Sequence, residues 1–220
     1  MEWIHKFDLF LFDFDGLLVD TERLHYQAYL FLCYNHGFEL GWDFERYCKI
    51  AHSDAHALRK ALYNEFPDLL KEQPDFRVLY EEKKRIYIEI LKERTLELMP
   101  GAAELLTALA GAGIRRIIAT HSPKEQIDII RAKQPLLLSI PDVITREDYE
   151  NPKPAPDAYL TAIAKVSKPG DRIIGFEDSL RGLTALQATP ALPVLIAPIR
   201  PLTLPQGVLY FPTLKDIAFT

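Results

Sequence analysis

Two aspartates separated by one residue follow a short apolar run near the start of the chain, in the order Leu9-Phe10-Leu11-Phe12-Asp13-Phe14-Asp15-Gly16. Such a run is typical of a strand buried on both faces of a sheet. In an extended chain, residues two apart point to the same side, so Asp13 and Asp15 are predicted to converge where the strand ends. Converging carboxylates repel unless a proton or a cation joins them, and Mg²⁺ prefers oxygen ligands of this kind. The pattern predicts a metal site or, as the plainer alternative, a polar turn at Asp15-Gly16.

The elements that would position these carboxylates follow from the spacing of apolar residues. Residues 21–97 show helical spacing and few strand-like runs, whereas from residue 98 short apolar runs alternate with helical segments. This alternation predicts βαβ units and a parallel sheet. The predicted fold is therefore α/β, a doubly wound parallel-sheet core of the Rossmann type with an inserted all-helical cap. The core comprises residues 1–20 and 98–220, and the cap comprises residues 21–97.

The same patterns give approximate bounds for each element. Helices are predicted in the cap over 21–36, 43–49, 53–65 and 74–94, and in the core over 102–113, 123–133, 156–166, 179–188 and 214–218. Strands are predicted over 7–12, 114–120, 142–145, 171–176, 193–197 and 208–211. The insert leaves the core at the carboxyl end of the first strand, which is the side where open α/β sheets bind ligands. The cap is therefore expected to act as a lid, hinged near residues 18–21 and 96–101.

Three further polar clusters fall at the carboxyl ends of predicted strands or in loops beside them. They are Thr120-His121-Ser122, Lys153 within Asn151-Pro152-Lys153-Pro154, and Glu177-Asp178-Ser179. Each has a plainer interpretation, because Thr120 or Asp178 could cap a helix and a lone lysine is usually solvated. Together they would bring carboxylates, hydroxyls and one cation to a single edge of the sheet.

This set of side chains suits phosphoryl transfer, which needs a nucleophile, charge neutralisation and donors for the phosphate oxygens. Asp13 is the candidate nucleophile, which would form an aspartyl phosphate, and Asp15 is the candidate general acid and base. The remaining roles are phosphate binding, by Thr120 and Lys153, and Mg²⁺ binding, by Asp178 with Glu177 beside it.

The stretch Asp13-Phe14-Asp15-Gly16-Leu17-Leu18-Val19-Asp20-Thr21-Glu22 resembles the first signature motif of the haloacid dehalogenase-like hydrolases. Thr120, Lys153 and Gly175-Phe176-Glu177-Asp178-Ser179 resemble the second, third and fourth motifs, in the same order. The insert after the first motif resembles the helical cap of the β-phosphoglucomutase-like branch. The resemblance implies that Mg²⁺ is required and is held by Asp13, the backbone carbonyl of Asp15, Asp178 and Glu177. The namesake dehalogenases lack the second aspartate, so Asp15 favours phosphoryl chemistry over dehalogenation.

Other positions bear on the choice of substrate. His25 and Lys49 resemble a histidine and a lysine of the β-phosphoglucomutase-like branch, and His52 follows in the cap loop expected to face the site. His121 and Ser122 are expected to line the phosphate pocket, although His121 is bulkier than the small residues common there. The arginine that grips the second phosphate in a mutase has no obvious counterpart. A phosphatase is therefore favoured over a sugar phosphomutase. The third alternative, a catalytically quiet binding relative, is opposed by the intact set of motifs.

The composition restricts the partners of the protein. The 220 residues carry a net charge of −5 with lysine and arginine dispersed, so no basic stripe suggests binding to nucleic acid or an anionic membrane. No apolar run reaches transmembrane length, and the two cysteines, Cys33 and Cys48, lack metal-type spacing. We expect a cytoplasmic enzyme, monomeric or weakly homodimeric, that acts on a small phosphorylated metabolite.

Overall fold

The computed structural model describes residues 1–51 and 56–219. The strands found there are β1 (Leu9–Phe12), β2 (Arg115–Ala119), β3 (Asp142–Ile144), β4 (Ile173–Glu177), β5 (Leu192–Ile196) and β6 (Leu209–Phe211). They form one parallel sheet in the order β3-β2-β1-β4-β5-β6. The order reverses beside β1, which is the arrangement of a doubly wound sheet.

Strand β1 lies at the centre of the sheet because every one of its side chains is apolar and buried. Leu9 and Leu11 join one hydrophobic cluster with Tyr159. Phe10 and Phe12 alternate with them and stack on Phe176, with ring centroids 6.0 and 5.3 Å apart. Alternate residues of a strand face opposite sides of a sheet, so both faces of β1 are covered.

Helices occupy the long segment between β1 and β2 as well as the later connections. The first group comprises α1 (Glu22–Asn35), α2 (Phe44–Ala51), α3 (Ala57–Glu65), α4 (Pro67–Glu72), α5 (Phe76–Glu93) and α6 (Ala102–Gly111). The second group comprises α7 (Lys124–Lys133), α8 (Asp157–Val166) and α9 (Leu180–Gln187). The predicted α/β class, with a parallel sheet and a helical insert after the first strand, is confirmed.

The chain divides into two compact units, one formed by Met1–Asp20 with Leu96–Thr220 and the other by Thr21–Thr95. In the second unit α1 packs along α5, and the buried core includes Tyr29, Trp42 and Leu62. None of the helices in the described part of the chain is long and apolar enough to cross a membrane.

Two local predictions differ from the structure. Helix α4 lies in the gap between the predicted helices 53–65 and 74–94, and it begins at Pro67, since proline fits the first turn of a helix without losing a hydrogen bond. The predicted terminal helix is only a 3-10 turn over Leu214–Asp216, which Thr213 caps. Residues 53–55 of the predicted third helix lie outside the described residues.

The two segments that connect the insert to the core run side by side. Val19 and Leu98 form an antiparallel bridge. Asp20 N–H donates to the carbonyl of Glu97 at 3.1 Å, and Met99 N–H donates to the carbonyl of Leu18 at 2.9 Å. The core therefore joins the start and the end of the inserted segment through its own backbone.

His36 links three helices of the insert through two carboxylates. Its Nδ1 lies 3.0 Å from Glu72 of α4, and its Nε2 lies 2.9 Å from Glu82 of α5, while His36 itself ends α1. Burial opposes the charge on the ring, but hydrogen bonds to Glu82 and Glu72 outweigh burial and raise the pKa of His36. Only the protonated ring donates from both nitrogens, so only that form satisfies both carboxylates.

We expect the stabilisation from His36 to be complete below pH 6.5, the usual pKa of histidine in an unfolded chain, and to disappear as the pH rises through the raised pKa. Replacing His36 with Gln should cost about 0.5–1 kcal/mol of unfolding free energy at pH 6 and clearly less at pH 8.5. Urea unfolding of the two proteins at several pH values measures this difference. The exposed His5, changed to Gln, is the matched control. Equal losses at pH 6 and pH 8.5 would contradict the assignment.

Candidate active site

Strand register brings the predicted site residues to one level at the carboxyl edge of the sheet. Phe12 lies opposite Ile118 of β2 and Phe176 of β4. The residues that follow these three are Asp13, Ala119 and Glu177, so they lie at the same level of the sheet. Asp13 N–H donates to the carbonyl of Phe176 at 3.0 Å. Parallel strands thus bring together segments that are far apart in sequence.

Lys153 is the centre of a buried polar cluster at this edge. Its ammonium lies 2.5 Å from Asp13 Oδ1 and 2.6 Å from Glu177 Oε1. It also donates to the carbonyl of Ala119 and to the hydroxyl of Tyr159, both at 3.1 Å. Lys153 is 6% exposed, so the plainer interpretation of a solvated surface lysine is wrong.

Glu177 has a partner on each oxygen of its carboxylate. Oε1 accepts from Lys153 and from the hydroxyl of Tyr159 at 2.5 Å, and Oε2 accepts from Ser179 Oγ at 3.2 Å. A Cβ at Gly182, in the first turn of α9, would overlap this carboxylate. The glycine lets the helix backbone approach the buried acid, and Ser179 caps the same helix by accepting from Gly182 N–H at 3.1 Å.

Asp178 lies on the side of the cluster where the first motif turns. A Cβ at Gly16 would overlap the Asp178 carboxylate, and Gly16 has a φ of +77°, in the left-handed region that side chains disfavour. Gly16 therefore has two reasons to be glycine: its backbone turns there, and it leaves room for Asp178.

Asp15 has different partners from Asp13. Its Oδ2 accepts from Ser122 Oγ at 2.6 Å and from Thr120 Oγ1 at 3.3 Å. Thr120 Oγ1 in turn accepts from Ser122 N–H at 3.0 Å. The loop after β2 thus holds the Asp15 side chain, while Lys153 holds that of Asp13.

His121 points toward Tyr149 in the same loop region. Its Nδ1 lies 3.2 Å from the Tyr149 hydroxyl, which also lies 3.1 Å from the carbonyl of Thr120 and can donate to it. Burial, followed by the charges of Arg181, Arg146 and Lys153, lowers the pKa of His121 to about 4. The ring is therefore neutral at physiological pH.

The buried cluster contains three carboxyl groups, those of Asp13, Glu177 and Asp178, and the single positive charge of Lys153 does not offset all of them. Burial raises the pKa of Asp13 to about 7, Glu177 adds to the rise and Lys153 opposes it. Burial also raises the pKa of Asp178, followed by the charges of Asp13 and Glu177. Burial alone would lower the pKa of Lys153, but Asp13 and Glu177 outweigh it and the pKa is raised. Lys153 thus stays charged, and the acids around it still repel one another.

The donor set fits a hard divalent cation. Asp13, Glu177 and Asp178 each offer one carboxylate oxygen, and these three atoms lie within 4.8 Å of one another. Carboxylate oxygens are the ligands that Mg²⁺ prefers, and a bound cation would relieve the repulsion that raises the pKa values of Asp13 and Asp178.

The predicted cap residues belong to the helical unit. His25 lies on α1, where its Nδ1 is 2.7 Å from the ammonium of Lys83 and its ring stacks on Tyr87 at 4.0 Å. Burial, and then the charge of Lys83, lowers the pKa of His25 well below its usual value. Lys49 is exposed on α2, and His52 lies outside the described residues.

Two contributors to the cluster were missed by sequence reasoning. Tyr159 falls on the apolar face of α8 and resembles an ordinary core residue, yet its hydroxyl contacts both Lys153 and Glu177. Gly182 could have been noticed in the sequence, because a glycine inside a helix lowers helix stability by about 1 kcal/mol relative to alanine. Its presence in a predicted helix therefore indicates close packing at that position.

Comparison with known proteins identifies the class. The family model described as haloacid dehalogenase-like hydrolase matches residues 7–189. Protein CbbY of Rhodobacter capsulatus is 30% identical over 193 residues, covering 86% of this chain and 84% of that protein. A phosphorylated carbohydrates phosphatase of Thermotoga maritima is 30% identical over 182 residues, covering 81% and 79%. The hydrolase YfnB of Bacillus subtilis, solved with magnesium bound, has a TM-score of 0.75 at 18% identity and covers 96% of each chain.

The chain therefore belongs to the haloacid dehalogenase-like hydrolase family, and the resemblance derived from the four motifs is confirmed. Its relatives by sequence place it among the phosphoric monoester hydrolases of that family. Its fold is that of the family members with a helical insert after the first motif.

Proposed function

We propose that this protein is a Mg²⁺-dependent phosphatase that hydrolyses a small phosphorylated carbohydrate through an aspartyl-phosphate intermediate. The observation that carries the proposal is the contact of Asp13 with the buried Lys153 beside the acidic pair Glu177 and Asp178. The Thermotoga maritima relative, which is named for phosphorylated carbohydrates, supports the substrate class.

In the first step, a carboxylate oxygen of Asp13 attacks phosphorus and the bond from phosphorus to the alcohol oxygen breaks. Lys153, which donates to Asp13 Oδ1, orients the nucleophile and balances negative charge on the phosphate. Thr120 would supply a hydroxyl donor to a phosphate oxygen, in place of its long 3.3 Å hydrogen bond to Asp15. Asp15 gives its proton to the departing alcohol.

In the second step, a water molecule attacks phosphorus and releases inorganic phosphate, which restores the Asp13 carboxylate. Asp15 removes the proton from that water, so it ends the cycle protonated as it began. The 2.6 Å hydrogen bond from Ser122 Oγ keeps Asp15 in one orientation for both transfers.

Asp13, Asp178, Glu177 and the backbone carbonyl of Asp15 would hold the magnesium ion. When bound, the ion supplies charge neutralisation between the carboxylate nucleophile and the phosphate. Glu177 already has partners on both oxygens, whereas in residues 1–51 and 56–219 the only hydrogen-bond donor to the Asp178 side chain is its own backbone N–H. Asp178 is therefore the stronger candidate for a direct ligand.

We expect Asp178→Ala to raise the Kd for Mg²⁺ by about 100-fold or more and Glu177→Ala by about 10-fold, because Glu177 acts mainly by holding Lys153. Isothermal titration of Mg²⁺ into each variant measures the order. Glu177→Gln keeps the shape of the side chain and serves as a second variant if Glu177→Ala fails to fold. The reverse order of Kd values would overturn the assignment.

The helical unit is proposed to select the substrate. Lys49, His52 and His25 are its candidate contacts, and His121 and Ser122 are those of the core. YfnB, described as showing interdomain movement, supports the idea that the two units of this chain move relative to each other. Movement of that kind would admit substrate and then exclude water.

The proposal is tested by a phosphate-release screen over sugar phosphates, nucleotides and glycolytic acids, with and without Mg²⁺. We expect Mg²⁺-dependent release from an aryl phosphate and faster release from one group of sugar phosphates. Turnover that requires a sugar bisphosphate activator would instead indicate a phosphomutase. Binding without turnover on any compound would indicate a catalytically quiet relative.

A further inference from the structure

Arg181 has no ionic partner in the described part of the chain. It is the second residue of α9, lies three residues after Asp178, and is exposed. It makes no hydrogen bond or ion pair with any residue in the described ranges 1–51 and 56–219. Arg172 pairs with Asp8, and Arg146 donates to the carbonyls of Tyr149 and Glu150. An unpaired arginine is ordinary on an open surface, so its position decides whether it matters.

The backbone on both sides of Arg181 lies against the acidic cluster. Ser179 Oγ is 3.2 Å from Glu177, and a Cβ at Gly182 would overlap the same carboxylate. The Arg181 charge also lowers the pKa values of His121 and Tyr149, which lie in the loops after β2 and β3. Arg181 therefore lies at the rim of the site, in the first turn of α9 and close to the acidic cluster.

The charge distribution favours an anion at this rim. Lys153 is buried in the site, and its ammonium is already paired with the carboxylates of Asp13 and Glu177. Arg146 lies 5.1 Å above the ring of Tyr149, and its donors are used by backbone carbonyls. Arg181 keeps its forked set of donors available, and that fork matches a carboxylate or a phosphate.

We infer that Arg181 binds a second anionic group of the substrate, a carboxylate or a second phosphate, in addition to the phosphate that is removed. The inference rests on the proposed phosphatase function and narrows its substrate class to doubly anionic phosphate esters. The recognising cation is on the core, next to the fourth motif, and not on the helical insert.

The test compares ligands that differ only in the second anion. Calorimetry on the Asp13→Asn protein with Mg²⁺ measures binding without turnover of 3-phosphoglycerate against glycerol 3-phosphate, and of glucose 1,6-bisphosphate against glucose 6-phosphate. Adding Arg181→Gln should lower the affinity ratio in at least one pair by about fivefold or more, while Arg181→Lys should retain part of it. The pair that responds identifies the anion.

Lys168→Gln is the control, because it removes the same charge from an exposed residue before β4, at the opposite edge of the sheet. Its affinity ratios should match those of the parent. Ratios that Arg181→Gln leaves within twofold in both pairs would overturn the inference. Failure of the proposed function looks different, since the wild-type enzyme would then release no phosphate from any compound in the Mg²⁺ screen.

Discussion

Replacing Asp13 with Asn should abolish turnover, with a fall in kcat on the order of a thousandfold or more. An amide cannot form the aspartyl phosphate, and uncatalysed hydrolysis of phosphate monoesters is too slow to compensate. The fold should survive, because Asn has nearly the same shape and the change removes a buried carboxylate repelled by Glu177. Phosphate release gives kcat, and thermal unfolding in EDTA should give a Tm no lower than that of wild type.

Asp142→Asn provides the matched control for this change. Asp142 is the first residue of β3, two strands away from β1, and pairs with Lys165 at 3.2 Å. The control should keep wild-type kcat. An Asp13→Asn protein that retains more than about a tenth of wild-type kcat would rule out Asp13 as the nucleophile.

Replacing Lys153 with Met should have the second largest effect, on both rate and stability. The change removes the charge that orients Asp13, and losing one such preorganised donor lowers kcat by about 100- to 1,000-fold. It also leaves Asp13 and Glu177 buried without their cation, and breaking a buried ion pair in this way costs about 3–5 kcal/mol. Steady-state kinetics and urea unfolding measure the two losses.

Magnesium separates these two contributions. Because the ion would offset part of the unpaired negative charge, Mg²⁺ should recover stability in Lys153→Met more than in wild type, while kcat stays low. Lys165→Met, which alters an exposed lysine on α8, is the control. If Lys153→Met unfolds at the same denaturant concentration as wild type without Mg²⁺, the buried ion pairs described here do not contribute to the fold.

The convergence of the motif residues was predictable because topology determines it. A buried apolar run followed by Asp13, and a second followed by Glu177, must end at one edge once both strands are parallel and adjacent. The position of Lys153 was less certain from sequence, since its burial and its contacts with Asp13 and Glu177, which distinguish it from a surface lysine, are visible only in the structure.

The polar partners of individual site residues could not be predicted, because contacts between polar groups leave no periodic pattern in the sequence. The alternation rule predicted that Asp13 and Asp15 point the same way, but β1 ends at Phe12, and the two carboxylates bind different partners. Tyr159 has the helical spacing of a core residue, so its hydroxyl contacts could not be predicted from apolar patterning. Alternation and helical period describe which face a residue takes, and they carry no information about which polar group it meets there.

The side-by-side connections at Val19 and Leu98 bear on how such a protein can change over evolution. The core closes the inserted segment with its own backbone hydrogen bonds, so the pairing of β1 with β2 does not depend on the number of residues between the connections. Loop-closure entropy grows only slowly with length, and here the ends of the loop are already fixed. Residues 21–95 can therefore be lengthened, shortened or replaced while the strands that carry the site residues keep their register. The same site residues can then serve different substrates as the inserted segment changes.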